Sequence, residues 1–256
     1  MKTTQMMLGL LLLAACMSST GQEFDLNETG ANGLLTPAAI FQRYVNAIGG
    51  EALIRSHTST TMQGTFGIAA FGLTGALTMY SAAPNLALQV IDLGGLGQVR
   101  SGFDGTTGWN MDPLQGNTVI TGDALKALIE RSNYYLSLGL LDAVEFAETV
   151  EKTSINGEEV YKVDVANAVG GKTSLYFSST SAYLLRTQTV VPSPLGSVPV
   201  TQDFSDFKSF GGFMVPTSLH IDQAGQLITM QFDSVSYDDV DPSVFDLPPA
   251  IQALLH

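Results

Sequence analysis

The sequence predicts a mainly β fold with helices (α+β), in which about eleven strands form a curved antiparallel sheet or half-open β-barrel. Three observations carry this. Apolar and polar residues alternate with a period of two through most of the chain after Thr58. Glycine, proline, asparagine and aspartate punctuate that alternation at short, regular intervals. A single helical stretch, residues 122–141, interrupts the strands once, as an inserted lid would.

The N-terminus comes first. Lys2 precedes an apolar run from Met6 to Ala15. A bilayer span needs about 20 apolar residues, so this run has the length of a signal-peptide core instead. It ends in Leu13-Ala14-Ala15-Cys16, which resembles the bacterial lipobox. That resemblance implies that residues 1–15 are a lipoprotein signal peptide and that Cys16 becomes an acylated N-terminus. The chain would then meet a membrane through its acyl chains, each buried CH₂ contributing about 0.8 kcal/mol. Met17, not Asp, follows Cys16. By resemblance to the Gram-negative sorting rule this implies the outer membrane, facing the periplasm. Met17 to Gly33 is rich in Ser, Thr, Gly, Asn and acidic residues, so 16–34 reads as lipidated Cys and flexible tether. Residues 35–256 read as a single domain.

The domain opens with a helix. Thr36 is placed to cap it and Pro37 sits at its first position, where a missing N–H costs nothing. Ile40, Phe41, Tyr44, Val45 and Ile48 form its apolar stripe, and Gly49-Gly50 ends it. A short turn from Glu51 to Arg55 follows. Strands are expected at Thr58–Ile68, Leu73–Ser81, Leu86–Leu93, Gly97–Phe103 and Gly108–Asn110, with a few more extended residues at Thr118–Ile120. Thr121 can cap a helix over Gly122–Ser132, with Leu125, Leu128 and Ile129 on its apolar side. The dense apolar patch after it, with Tyr134, Tyr135, Leu136, Leu138, Leu140 and Leu141, suggests a second short helix. Leu125, Leu128, Ile129, Tyr134, Tyr135 and Leu138 are the candidate lid and cavity residues. Strands resume at Phe146–Ile155 and Glu159–Ala166 around Asn156-Gly157, a strong hairpin signal. Lys172–Ser178, Tyr183–Val191, Val198–Lys208, Phe213–Asp222 and Gln226–Tyr237 complete the series. A tail with a Pro-Pro break and a short apolar helix ends the chain.

Composition narrows the function classes. The 256 residues carry 11 Lys+Arg against 24 Asp+Glu, a formal charge of −13. Only 14% are charged and 45% are hydrophobic, which excludes a largely disordered chain. The acidic balance argues against nucleic acid as a partner. One cysteine leaves no intramolecular disulfide framework.

Four runs resemble a set of bacterial exported domains. They are Tyr44–Leu53 (YVNAIGGEAL), Gly94–Gly116 (GGLGQVRSGFDGTTGWNMDPLQG), the pair Leu175-Tyr176-Phe177 and Leu184-Leu185-Arg186 around a turn, and Phe207–Pro216. In the third run Ser178 stands where those domains have Asp, and Ala182 where they have Gly. The chain is thereby similar to the outer-membrane lipoprotein-sorting domains of the LolA, LolB and LppX type. The resemblance implies a half-open barrel closed by helices over an apolar cavity, which carries acylated cargo without catalysis and without cofactor.

The residues themselves give little chemistry. No G-x-S-x-G elbow and no HExxH motif occurs, and His57, His220 and His256 stand apart in sequence. His220 and Asp222 share a strand face. Asp104 and Asp112 flank Trp109 but read as turn residues. Asp238, Asp239 and Asp241 lack the Gly and terminal Glu of a calcium loop and read as an acidic turn. No metal site, no catalytic residue and no cofactor is therefore expected. Two function classes stand side by side: a lipid-anchored envelope protein binding a lipid or other hydrophobic ligand, and a ligandless structural or accessory lipoprotein. An unrecognised hydrolase is the third.

Overall fold

A computed structural model describes residues 25–140, 144–166, 171–193 and 196–255. Cys16, the signal segment, most of the tether and Leu141 lie outside the described residues. Helix α1 spans Pro37–Ala47 and α2 spans Glu51–Ser56. Six strands follow: β1 (Ser59–Ile68), β2 (Leu73–Ala82), β3 (Leu86–Asp92), β4 (Gln98–Phe103), β5 (Gly108–Asp112) and β6 (Gly116–Ile120). Helix α3 (Gly122–Arg131) separates them from seven more: β7 (Phe146–Ile155), β8 (Glu158–Ala166), β9 (Lys172–Ser178), β10 (Leu184–Ser193), β11 (Gly196–Phe210), β12 (Phe213–Gln223) and β13 (Gln226–Tyr237). A 3₁₀ turn (Pro242–Phe245) and the one-turn helix α4 (Pro249–Gln252) end the chain.

All thirteen strands join one antiparallel sheet in the order β6-β5-β4-β3-β2-β1-β13-β12-β11-β10-β9-β8-β7. The fold class is the expected one, a curved sheet that does not close. The strand count exceeds the expected eleven or so because the short run Gly108–Asp112 pairs with β4, and Gly116–Ile120 pairs in turn with it. Two consecutive meanders make the sheet, and they meet where β1 pairs with β13. The edges are therefore β6 and β7, which are neighbours in sequence. The segment between them, residues 121–145, has to pass from one edge to the other.

Three covers lie on this sheet. Thr36 Oγ1 accepts from the Ala39 amide at 3.2 Å, and α1 begins there as expected. Ala39, Ile40 and Phe41 of α1 pack on Val163, Leu175 and Phe177 of β8–β9. Each such buried large side chain contributes about 1.5–3 kcal/mol, which an eleven-residue helix needs, since it is marginal alone. Leu128 of α3 packs on Phe103 and Ile120 at the other flank. Phe245 and Ile251 of the tail bury Trp109 and Leu88.

Close approach explains several glycines in the motif runs. A Cβ on Gly102 would lie 2.4 Å from the Trp109 ring, and one on Gly108 would lie 2.4 Å from Leu128 Cδ2. The Gly-Trp run thus makes room for an indole and for α3. Gly64 sits at a β-bulge, where the β1–β13 register shifts between Gln63 and Gly64. A Cβ there would meet the Gln231 carbonyl oxygen at 1.8 Å. The bulge matters because it lets both Phe232 and Val235 face inward along β13.

Three expectations change. The second short helix after α3 is instead a series of turns from 132 to 140. Asn133 Oδ1 accepts from the Tyr135 amide at 3.2 Å, and such a local bond competes with helix formation. Thr121 precedes α3 but its side chain makes no capping bond. Part of the expected tether is also fixed: Asn32 Nδ2 donates to the Thr149 carbonyl at 2.9 Å, and Arg43 Nε to the Leu26 carbonyl at 2.7 Å. The hairpin that holds Ser178 and Ala182 is tied locally. Ser178 Oγ accepts from the Ser181 amide at 2.9 Å, as an aspartate would, and Ala182 takes the glycine's left-handed conformation at φ 61°.

Two stability predictions follow from these backbone positions. Gly64→Ala should destabilise the fold by about 1–3 kcal/mol, the usual cost of overpacking. Gly95→Ala, which meets nothing within 4 Å, should stay within about 0.5 kcal/mol of wild type. Conversely, Ala182→Gly should stabilise by up to about 1 kcal/mol by relieving the left-handed alanine. Urea denaturation of the three variants checks both.

Candidate functional site

The middle of the sheet's inner face lies between the flank covered by α1 and the flank covered by α3. A cavity of about 310 Å³ lies there. Its walls are largely apolar: Met62 and Met79 from β1 and β2, Phe204, Leu219 and Phe232 from β11–β13, and Tyr44 and Ile48 from α1. Strand alternation selects these residues. Met62 and Phe66 on β1, and Leu77 and Met79 on β2, share the inward face with Ile228, Met230 and Phe232 of β13. The far half of the same interior is closed by its own side chains, including Ile68, Ile91, Val200, Ile221 and Ile228.

The insert supplies the remaining wall through Leu128, Arg131, Ser132, Asn133, Tyr134 and Ser137. Of the six candidate residues, the structure brings Leu128 and Tyr134 to the cavity. Leu125 packs behind them against Phe103 and Ile120. Ile129 is 44% exposed, whereas Leu128 beside it is 7% exposed. Tyr135 is half-buried, its hydroxyl donating to the His57 carbonyl at 3.0 Å. Leu138 is half-buried and does not line the cavity. The insert is latched to the body by that bond, by the Tyr134 and Thr60 hydroxyls at 2.7 Å, and by the Tyr134 amide donating to the Pro84 carbonyl at 2.9 Å. Burial raises the Tyr134 hydroxyl to a pKa of about 12, so it stays neutral.

Polar groups gather at one flank. Gln89 on β3 lies opposite Ser101 on β4, which lies opposite Asn110 on β5. Ser101 donates to Asn110 Oδ1. Gln89 Nε2 is buried with no hydrogen-bond partner among the described residues, and so is Ser132 Oγ. Arg131, the last residue of α3, is half-buried, and burial lowers its pKa.

At the mouth, His57, Phe213 and Tyr237 form an aromatic group, with ring centroids 4.8 Å apart for His57–Tyr237 and 4.7 Å for Phe213–Tyr237. Asp238 ties it to β1. Its carboxylate lies 2.6 Å from His57 Nδ1 and accepts from the Thr58 amide at 2.7 Å and the Ser59 amide at 3.3 Å. The Thr58 amide foremost, then His57, hold this carboxyl at a pKa of about 2.

The other sequence-level suspects have structural work. Asp104 accepts from the Thr106 and Thr107 amides, and Asp112 from the Leu114 and Gln115 amides. Both are turn residues and do not converge on Trp109. Asp239 accepts from Thr61, and Asp241 caps the 3₁₀ turn through the Ser243 amide. Asp222 accepts from the Gly225 amide in its hairpin, so His220 has no carboxylate partner there. Among the described residues no group of three His, Cys, Asp or Glu could hold a metal ion.

No family model and no curated protein matches the sequence. Solved structures do match the fold. A DUF1329 protein from Desulfovibrio piger superposes with a TM-score of 0.59 at 11% identity, over 81% of this chain and 96% of that one. A LolA superfamily protein from Nitrosomonas europaea gives 0.56 at 13% identity, over 84% and 99%. A Vibrio parahaemolyticus domain named for outer membrane lipoprotein sorting gives 0.57 at 12% identity, over 81% and 94%. At these identities the likeness is one of fold: the chain has the LolA-like half-open barrel that its motif runs implied.

The Asp238 clasp gives a pH prediction. Its folded pKa of about 2 lies below the ordinary 3.8, so its contribution is complete above about pH 4 and is lost as pH falls toward 2. Asp238→Asn should therefore melt below wild type at neutral pH, and the gap should close between pH 4 and pH 2. Thermal melts across that range check it. A gap that stays constant into acid would assign the stabilisation to another group.

Proposed function

We propose that this protein is a lipid-anchored, non-catalytic carrier or binding protein of the cell envelope that holds a lipid or other hydrophobic ligand. The observation that supports this most is the cavity itself. Three methionines and several aromatic rings line it, and such side chains re-pack readily around varied apolar ligands. An insert tied to the body by hydrogen bonds of Tyr134 and Tyr135 forms one wall, so a ligand can enter by releasing that segment and not the sheet. The LolA-like fold fits the same reading by analogy.

The proposed organisation is a signal peptide over 1–15, an acylated Cys16 and a single domain over 35–256. Its proposed location is the outer membrane, facing the periplasm. A second reading, a ligandless accessory lipoprotein, is favoured by the filled far half of the barrel. Native mass spectrometry of the gently purified protein separates the two. Copurified lipid, lost in Leu128→Asp while the variant remains folded, supports the carrier. A ligand-free wild type that also rejects added amphiphiles supports the accessory reading. For the anchor, Cys16→Ser should yield unprocessed precursor or soluble protein. A processed variant that still fractionates with membranes would show a different attachment.

A further inference from the structure

The cavity is not uniformly apolar, and its polar content is one-sided in chemistry as well as in place. The phenylalanines and Leu219 come from the β11–β13 flank. The groups without partners come from β3 and the end of α3, at the other flank. All three are donors at the cavity wall. Gln89 Nε2 and Ser132 Oγ are buried and unpaired among the described residues. Arg131 is half-buried, and no ion pair or hydrogen bond joins its guanidinium to a described residue. Among the residues lining the cavity Arg131 is the one with a charged side chain, and no Asp or Glu lies there. This is notable in a chain with 24 acidic and 11 basic residues.

A buried donor left unpaired destabilises the fold, more so when charged, and folds rarely retain such groups without a use. Three together, beside an apolar hollow, match one end of an amphiphile. Resting on the ligand-binding reading above, we propose that Arg131, Ser132 and Gln89 form a headgroup subsite for an anion, a carboxylate or phosphate monoester, whose hydrocarbon chain lies toward Phe204 and Phe232. A guanidinium fork pairs with either anion through two parallel N–H bonds, and does so most strongly where water is excluded. Ser132 and Gln89 supply neutral donors to the remaining oxygen lone pairs. The volume of about 310 Å³ lies at the small end of ligand cavities, about 300–1,000 Å³, and so selects a single-chain amphiphile. Burial also disfavours the charged guanidinium in the empty cavity, and an anion would relieve this.

Isothermal titration of the delipidated full-length chain with four probes tests this: dodecanoate, dodecyl phosphate, 1-dodecanol and dodecyltrimethylammonium, each below its aggregation concentration. Inorganic phosphate and acetate alone complete the set. The two anionic chains should bind at least about tenfold tighter than 1-dodecanol, a difference of about 1.4 kcal/mol. The cation should bind weakest and the chainless anions negligibly. Whichever anionic chain binds tighter identifies the headgroup as carboxylate or phosphate. Arg131→Gln should abolish the preference for anions while leaving 1-dodecanol affinity within about twofold. Gln89→Leu removes a buried unpaired amide, so it should raise the melting temperature of the empty protein while weakening the anionic chains. Equal affinity for dodecanoate and 1-dodecanol, or an Arg131→Gln variant that keeps the preference, overturns the subsite and leaves the carrier reading standing. Binding of no chain at all overturns both.

Discussion

The sheet's two edges are consecutive in sequence, and the rest of the molecule depends on this. Were β6 and β7 to pair, thirteen strands would close into a barrel and residues 121–145 would be an external loop. Instead the connection crosses the open side, because α3 buries Leu128 against Phe103 and Ile120 and needs Gly108 bare beneath it. Occupying that side, the insert keeps the edges apart and becomes a wall of the space it spans. Cavity, latch and polar flank all follow. The exposed edges are blunted in ordinary ways. β6 is five residues long, while β7 carries a register shift between Thr149 and Glu151 and the charges of Glu148, Glu151 and Lys152.

The interior shows a division of labour along the strands. One half is packed by branched aliphatic side chains that fix the curvature. The other half is lined by methionine and aromatic residues from the same strands, with α1 and the insert standing over it. The β1–β13 bulge lies at this boundary and turns Val235 and Tyr237 back toward the space after Phe232. A single glycine, Gly64, makes that adjustment possible. Rigid support and adaptable lining are thus adjacent segments of one sheet, in keeping with sites built on firm elements.

Much of this was legible in local patterns. Thr36-Pro37, the stripe from Ile40 to Val45, and Asn156-Gly157 each specify local geometry, and period-two alternation identifies strands wherever one face is buried. Ser178 and Ala182 depart from the motif run, and their turn is held by the Ser178 hydroxyl accepting from the Ser181 amide, with Ala182 left-handed at φ 61°. The cavity was less legible. Phe204 and Phe232 alternate as core residues do, and no local rule separates a side chain that meets another from one that meets a void. Leu128 and Ile129 are adjacent on one helical stripe, yet Gly108 admits the first and the second is left outside. Arg131 is a basic residue in the last turn of α3, a place that helix rules alone explain, so no local pattern marks it as a cavity residue.

The pairing of β1 with β13 carries a consequence for how the chain is made. Synthesis delivers β1 long before β13, since Thr60 finds its partner in Tyr237. Until then β1 presents an unpaired edge, the hazard that non-local sheets share during folding. Its sequence, STTMQGTFGI, has three threonines and two glycines and one large aliphatic residue, which makes that edge less adhesive than an aliphatic strand. The same topology sets the effect of premature termination. In a simple meander, losing the last strand trims an edge. Here a chain that stops before Gln226 loses the middle of its sheet, and β1 and β12 are left without the strand that pairs with both.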